Sequence, residues 1–102
     1  MTEYSWPDDG AEIGRRAQAA WSATCRALPI GTQVTGTVTS RQPFGVFLRI
    51  DGTPEAIGLA ESIAMPPDFE LPRLGAFVTG EVISHTEHNH QVRTRLTEQT
   101  ES

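Results

Sequence analysis

The spacing of apolar residues changes abruptly at Pro29, and this change constrains the fold more than any other feature of the sequence. Between residues 9 and 28 apolar side chains recur with a helical period, whereas after Pro29 they alternate with polar ones, as in half-buried β-strands. Proline disfavours the α conformation at the residue before it, so a helix that reaches Leu28 should end there. The sequence therefore predicts an N-terminal helix followed by an all-β region.

The predicted helix, residues 9–28, is amphipathic. Asp9 and Glu12 have the spacing of a capping box, which satisfies the exposed amides of the first turn. At about 100° per residue, one face of the helix gathers the apolar and small residues. These are Ile13, Ala17, Ala20, Trp21, Thr24, Cys25 and Leu28. We expect this face to pack on the β region, and we expect residues 1–8 to form a flexible lead-in.

Five segments after Pro29 have the length and alternation of β-strands. They cover residues 34–39, 44–50, 56–60, 77–85 and 91–97. The run Asp51-Gly52-Thr53-Pro54 predicts a turn, and the proline-containing residues 62–74 predict an irregular connector with one helical turn. The polar residues 98–102 are expected to form a flexible tail.

The first and fourth strands share the pattern G-x-x-V-T-G-x-V, at residues 31–38 and 75–82. A glycine at the same point of two long strands lets each strand bend sharply, as a five-stranded barrel requires at its corners. A chain of 102 residues has the length of one domain. We therefore predict an all-β fold, a five-stranded antiparallel barrel over residues 29–97, with the α-helix added at its N-terminal side.

The five segments together resemble the S-one RNA-binding domain family. The blocks that carry the resemblance are LPIGTQVTGTVT, FGVFL, IGLAES, LGAFVTGEVI and VRTRLT, in order from residue 28 to residue 97. The resemblance implies an OB fold whose second and third strands bind single-stranded nucleic acid. It also implies that Phe44 and Phe47 are exposed and stack on bases, each stack being worth about 1–3 kcal/mol.

Other positions of the resemblance are polar or charged. The basic residue of the fifth strand is present as Arg93, with Arg95 on the same face. Two positions depart from the family pattern. Glu61 stands where the family often has a histidine, and Thr86-Glu87 stands where it often has an aspartate. A carboxylate at residue 61 should repel phosphate and cannot stack on a base.

The charge balance leaves two kinds of partner open. The chain has a net charge of −5, with seven acidic residues and five arginines in residues 29–97, whereas RNA-binding domains are usually basic. All eight cations are arginine, which binds phosphate through a planar fork. A ring of arginines around the two phenylalanines would favour RNA, and a patch of Glu55, Glu61 and Glu81 would favour a protein partner. The residues predicted to bind single-stranded RNA are Phe44, Phe47, Arg41, Arg49, Arg93 and Arg95.

No recognisable arrangement of catalytic residues or phosphate-binding loop occurs in the sequence. We therefore expect a binding module that is not an enzyme and that needs no cofactor. His85, His88 and His90 have a spacing that could gather zinc together with Glu87. A flexible hairpin would hold such ligands poorly, so we expect no metal site.

The remaining features concern the compartment. Cys25 is the single cysteine, so it cannot form an internal disulfide. No apolar run approaches the roughly 18 residues that a membrane span requires, and the first residues do not resemble a signal peptide. We expect a cytoplasmic protein that is monomeric and does not bind membranes.

The alternative to RNA binding is an acidic OB-fold module for protein interaction or regulation.

Overall fold

The computed structural model describes residues 10–65 and 68–97 in full, and the backbone alone of residues 98–100. Two helices come first in the chain, five strands follow, and a short 3₁₀ turn, Ser62–Ala64, lies after the third strand. The helices are α1 (Gly10–Ala19) and α2 (Trp21–Ala27), and the strands are β1 (Gln33–Gln42), β2 (Gly45–Ile50), β3 (Ile57–Glu61), β4 (Phe77–Thr86) and β5 (Gln91–Thr100).

The five strands close into a barrel in the order β1-β2-β3-β5-β4. The prediction of a purely antiparallel barrel is wrong for one pair, because β3 and β5 run parallel, with Ile57 opposite Gln91 and Ala60 opposite Thr94. The reason is geometric. Strand direction cannot alternate all the way round a closed ring with an odd number of strands, so at least one neighbouring pair must be parallel.

The repeated glycines lie where strands come very close together. Gly36 is paired both with Val78 of β4 and with Ile50 of β2, so β1 changes partners at this residue. A Cβ atom at Gly36 would lie 2.6 Å from the Arg49 carbonyl oxygen, and one at Gly80 would lie 2.9 Å from the Arg95 carbonyl oxygen. Any larger residue would push the backbones apart at both corners.

The interior of the barrel has two apolar clusters, one toward each end. One cluster is covered by Phe69 and Leu71 of the connector after β3; its members are Val38, Val46, Leu48, Ala60, Met65, Ala76, Val78 and Leu96. Trp21 packs on the other cluster, which consists of Leu28, Val34, Ile50, Ala56, Val82 and Val92. The connector therefore closes one end of the barrel, and α2 with Leu28 closes the other.

The predicted single helix is two helices that meet at Ala20, whose φ of −97° and ψ of 7° depart from helical geometry. The predicted apolar face is confirmed, since Ala17, Thr24 and Leu28 are buried. Asp9 of the predicted capping box and the lead-in of residues 1–8 lie outside the described residues. Neither helix, within the part of the chain described, is long and apolar enough to cross a membrane.

Strand β5 extends beyond the predicted end of the barrel at residue 97. Glu98 pairs with Thr79 of β4, and Thr100 pairs with Phe77. The backbone of residues 98–100 is therefore part of the sheet, where we had predicted a flexible tail. Residues 101–102 lie outside the described part of the chain.

Candidate nucleic-acid interface

The alternation of β2 determines which of its side chains face away from the barrel interior. Val46, Leu48 and Ile50 point inward and are buried, so Phe47 and Arg49 point outward. The strand register extends this surface across the neighbouring strands. Phe47 lies opposite Leu59 of β3, which lies opposite Arg93 of β5, and Arg49 is followed in the same way by Ile57 and Gln91. These two rows of residues, Phe47–Leu59–Arg93 and Arg49–Ile57–Gln91, form what we call the outer face.

Phe44 lies in the turn between β1 and β2, at one end of the outer face. Gly45 follows it with a φ of 155°, and a Cβ atom there would lie 2.3 Å from the Ala60 carbonyl oxygen, so glycine allows the turn to pack tightly on β3. The rings of Phe44 and Phe47 meet edge to face, with their centroids 6.0 Å apart. The turn therefore holds the two predicted stacking residues together.

The two rings differ in accessibility. Phe44 is 46% exposed, whereas Phe47 is 9% exposed. The expectation that both rings are exposed is thus wrong for Phe47. Leu59, the next residue along its row, also points outward and is nevertheless buried. The physical reason is that α1 packs against β3 and covers this part of the outer face.

A groove separates the first half of α1 from the remainder of the outer face. Its volume is about 850 Å³. Gly10, Ile13, Gly14 and Arg16 of α1 line one side, and the barrel side includes Thr39, Phe47, Arg49, Ile57, Asn89 and Gln91. The structure therefore brings Phe47 and Arg49 together in one concave surface.

The predicted arginines are in different electrostatic settings. Arg93 forms an ion pair with Glu61, and Arg95 forms one with Glu81 at 2.9 Å. Arg41 turns toward the connector, where its Nη2 donates to the Leu71 carbonyl at 3.5 Å. Arg49 is exposed and forms no ion pair with any residue that the structure describes. It is the best placed of the predicted residues to contact a phosphate.

These ion pairs bear on the choice between RNA, which a ring of arginines would favour, and a protein partner, which a patch of glutamates would favour. Two of the three glutamates, Glu61 and Glu81, are each the partner of a predicted arginine. Glu61 therefore neutralises Arg93 on the outer face as well as placing a carboxylate there. Partly exposed ion pairs are worth about 0–1 kcal/mol, so a phosphate could compete with Glu61 for Arg93 at small cost.

The predicted histidine cluster packs on α2. The Trp21 ring meets His85 and His90 edge to face, at centroid distances of 6.1 Å and 5.6 Å, and His85 Nε2 donates to the Leu28 carbonyl oxygen at 2.7 Å. Within residues 10–65 and 68–97, no three histidine, cysteine or acidic side chains come together as metal ligands would. These contacts connect the turn between β4 and β5 to the helix.

No protein family matches the sequence, and no curated protein does. Solved structures match its fold. Mycoplasma genitalium RNase R in complex with ribose-methylated single-stranded RNA superposes with a TM-score of 0.65 and 14% identity over 78% of this chain and 14% of that one. The apo form of the same RNase R superposes with a TM-score of 0.64 and 17% identity, over 76% of this chain and 15% of that one. GSP13 from Bacillus subtilis superposes with a TM-score of 0.57 and 24% identity, over 68% of this chain and 55% of that one.

These likenesses confirm the predicted S-one-like OB fold. The chain spans about one seventh of the RNase R chains that it matches. Most residues that line the groove were not predicted from the sequence, among them Ile13, Thr39, Ile57, Asn89 and Gln91. A closed barrel of five strands requires one parallel pair, but the sequence does not show that this pair is β3 and β5, which brings Gln91 beside Ile57.

Proposed function

We propose that this chain is a non-catalytic module that binds single-stranded RNA on the outer face of β2, β3 and β5. The observation that carries the proposal is the position of the exposed Phe44 ring beside Phe47, in the same strand region as Arg49, which is exposed and forms no ion pair with the residues that the structure describes. An aromatic ring accepts any base by stacking, and a guanidinium binds the phosphate that follows it. The fold supports the proposal, since a segment of RNase R has the same fold and RNase R has been solved in complex with single-stranded RNA.

The charges indicate modest affinity. Arg49 can contact phosphate directly, whereas Arg93 must first leave Glu61, and Arg41 already has partners within the protein. One to three phosphate contacts correspond to a log–log salt slope of about −0.7 to −2.1 for a single strand. Most of the binding free energy should therefore come from stacking and should persist as salt is raised.

Fluorescence anisotropy with a labelled single-stranded RNA, across a salt series, tests the proposal. Phe44→Ala should weaken binding by about 1–3 kcal/mol without changing the salt slope, and Arg49→Ala should reduce the slope by about one contact. Phe77→Ala and Arg73→Ala are matched controls, because both side chains are exposed and neither lies on the outer face. Absence of binding at about 50 mM salt would contradict the proposal.

A second candidate is a protein-interaction module, which the mixed charges of the outer face favour. Glu61 and Arg93 present both signs there, and the chain is acidic as a whole. If RNA does not bind at low salt, a protein partner becomes the working hypothesis. For either partner we propose a monomer in the cytoplasm, where the unpaired thiol of Cys25 would stay reduced.

A further inference from the structure

The α1 side of the groove has unfilled space. Gly10 and Gly14 both line the groove, and a Cβ atom at either residue would have no atom within 4 Å. Glycine weakens a helix relative to alanine, so close packing does not account for glycine at these two positions. The first half of α1 stands back from the barrel and leaves room between the two surfaces.

The second half of α1 is fixed in place. Ala17, one turn beyond Gly14, is buried to 1% exposure, and α2 follows directly with Trp21 packed on the barrel core. The groove therefore has a fixed wall on its helical side and does not require α1 to move before a ligand can enter.

The two walls together have the chemistry that suits a nucleotide. Ile13 on α1 faces the same space as Ile57 on the barrel, and both are partly exposed, which gives apolar surface on both sides of a flat ring. Gln91 adds an amide that can donate to and accept from the edge of a base. Arg49 adds an exposed guanidinium that can bind the phosphate.

We propose that α1 is the second wall of the RNA-binding groove. One nucleotide of the single strand lies between Ile13 and Gly14 on one side and Ile57 on the other, with its base edge at Gln91. This inference rests on the proposed function and adds a helix to a surface otherwise built from strands. The helix should favour single strands over duplexes, because a base must be free of pairing and stacking partners to lie between two walls.

Filling the groove tests this arrangement. Gly14→Met should weaken RNA binding about tenfold, the loss that corresponds to excluding one stacked base. A Cβ atom at Gly14 meets no atom within 4 Å, and the flexible methionine side chain extends from there into the groove, so the melting temperature should not fall. Gln18→Met is the matched control, since Gln18 is exposed on α1 and does not line the groove; its affinity should equal that of the wild type.

Detaching α1 gives the opposite test. Ala17→Gln places a larger polar side chain in the buried contact and should release α1 without adding a charge, which should weaken RNA binding several-fold because one wall is lost. Circular dichroism would show that the barrel remains folded. Tighter binding by Ala17→Gln, or unchanged binding by Gly14→Met, would overturn the inference and show that α1 is not a wall of the binding groove. If the wild type binds no RNA, the proposed function fails as well, and the two failures are thereby distinguished.

Discussion

The two helices are almost continuous in sequence, yet they contribute to the molecule in different ways. Trp21 at the start of α2 and Leu28 just after its end belong to the apolar cluster that closes one end of the barrel. In α1 only Ala17 is buried, and the other residues face the groove or solvent. Thus α2 supports the fold, whereas α1 shapes the surface at which we propose that RNA binds.

Two truncations test this comparison with the largest expected effect. A chain that begins at residue 29 lacks Trp21 and Leu28, each worth about 1.5–3 kcal/mol of burial, so its melting temperature should fall by many degrees or it should not fold. A chain that begins at residue 20 keeps both residues and should remain folded, with a much smaller decrease. Differential scanning calorimetry measures both, and equal losses would show that α1 is as important to stability as α2.

Single substitutions test whether the end of α2 stabilises the fold. Leu28→Ala should cost about 2–5 kcal/mol of unfolding free energy, because it leaves a cavity in a buried cluster. Ile30→Ala is its matched control and should change stability by less than about 0.5 kcal/mol, since this side chain is largely exposed. Urea denaturation followed by circular dichroism gives both values. A loss below about 1 kcal/mol for Leu28→Ala would argue against a structural role for this end of α2.

The pH dependence of Cys25 adds a probe of α2. Burial raises the pKa of this thiol above its ordinary value of 9.0, and the negative charge of Glu87 raises it further. The folded state therefore binds the proton more tightly than the unfolded state, and this contribution to stability is lost as pH rises above about 9 through the folded pKa. We expect wild-type stability to fall more steeply above pH 9 than that of Cys25→Ser. Parallel stability curves for the two proteins would contradict the assignment.

The smallest effect concerns the surface of α1. Glu12 pairs with Arg16 at 3.2 Å and with Arg15, and all three side chains are exposed. Glu12→Gln should therefore cost no more than about 0.5 kcal/mol, and less at high salt. Thermal melts at low and high salt measure this difference. A larger, salt-independent loss would mean that Glu12 holds α1 on the barrel by some other contact.

Much of the fold could be predicted because its signals are local. Alternation in the strands, Pro29 at the end of the helix, and the turn at residues 51–54 depend on neighbours in sequence. The alternation that places Val46, Leu48 and Ile50 on one side of β2, where all three are buried, is local in the same way. The break at Ala20 was missed, since no glycine or proline marks it in the sequence.

The candidate site was harder to predict because it depends on contacts between distant segments. Phe47 loses its exposure through packing of a helix more than 25 residues earlier in the chain, and nothing in the F-G-x-F pattern reports this. The pairing of Arg93 with Glu61 follows from the parallel register of β3 and β5. Ring closure requires one parallel pair, but neither closure nor the sequence of either strand shows which pair it is or in what register.

Ring closure also limits how this molecule can associate with others. An open sheet presents a row of unpaired amides and carbonyls, onto which another chain can add a strand, and this is a common route to aggregation. In the described part of this chain each strand has a neighbour on both sides over at least part of its length. Addition of another strand is therefore confined to segments that extend past one neighbour, such as residues 95–100 of β5, which pair with β4 alone. Elsewhere a partner must recognise side chains on the faces and turns.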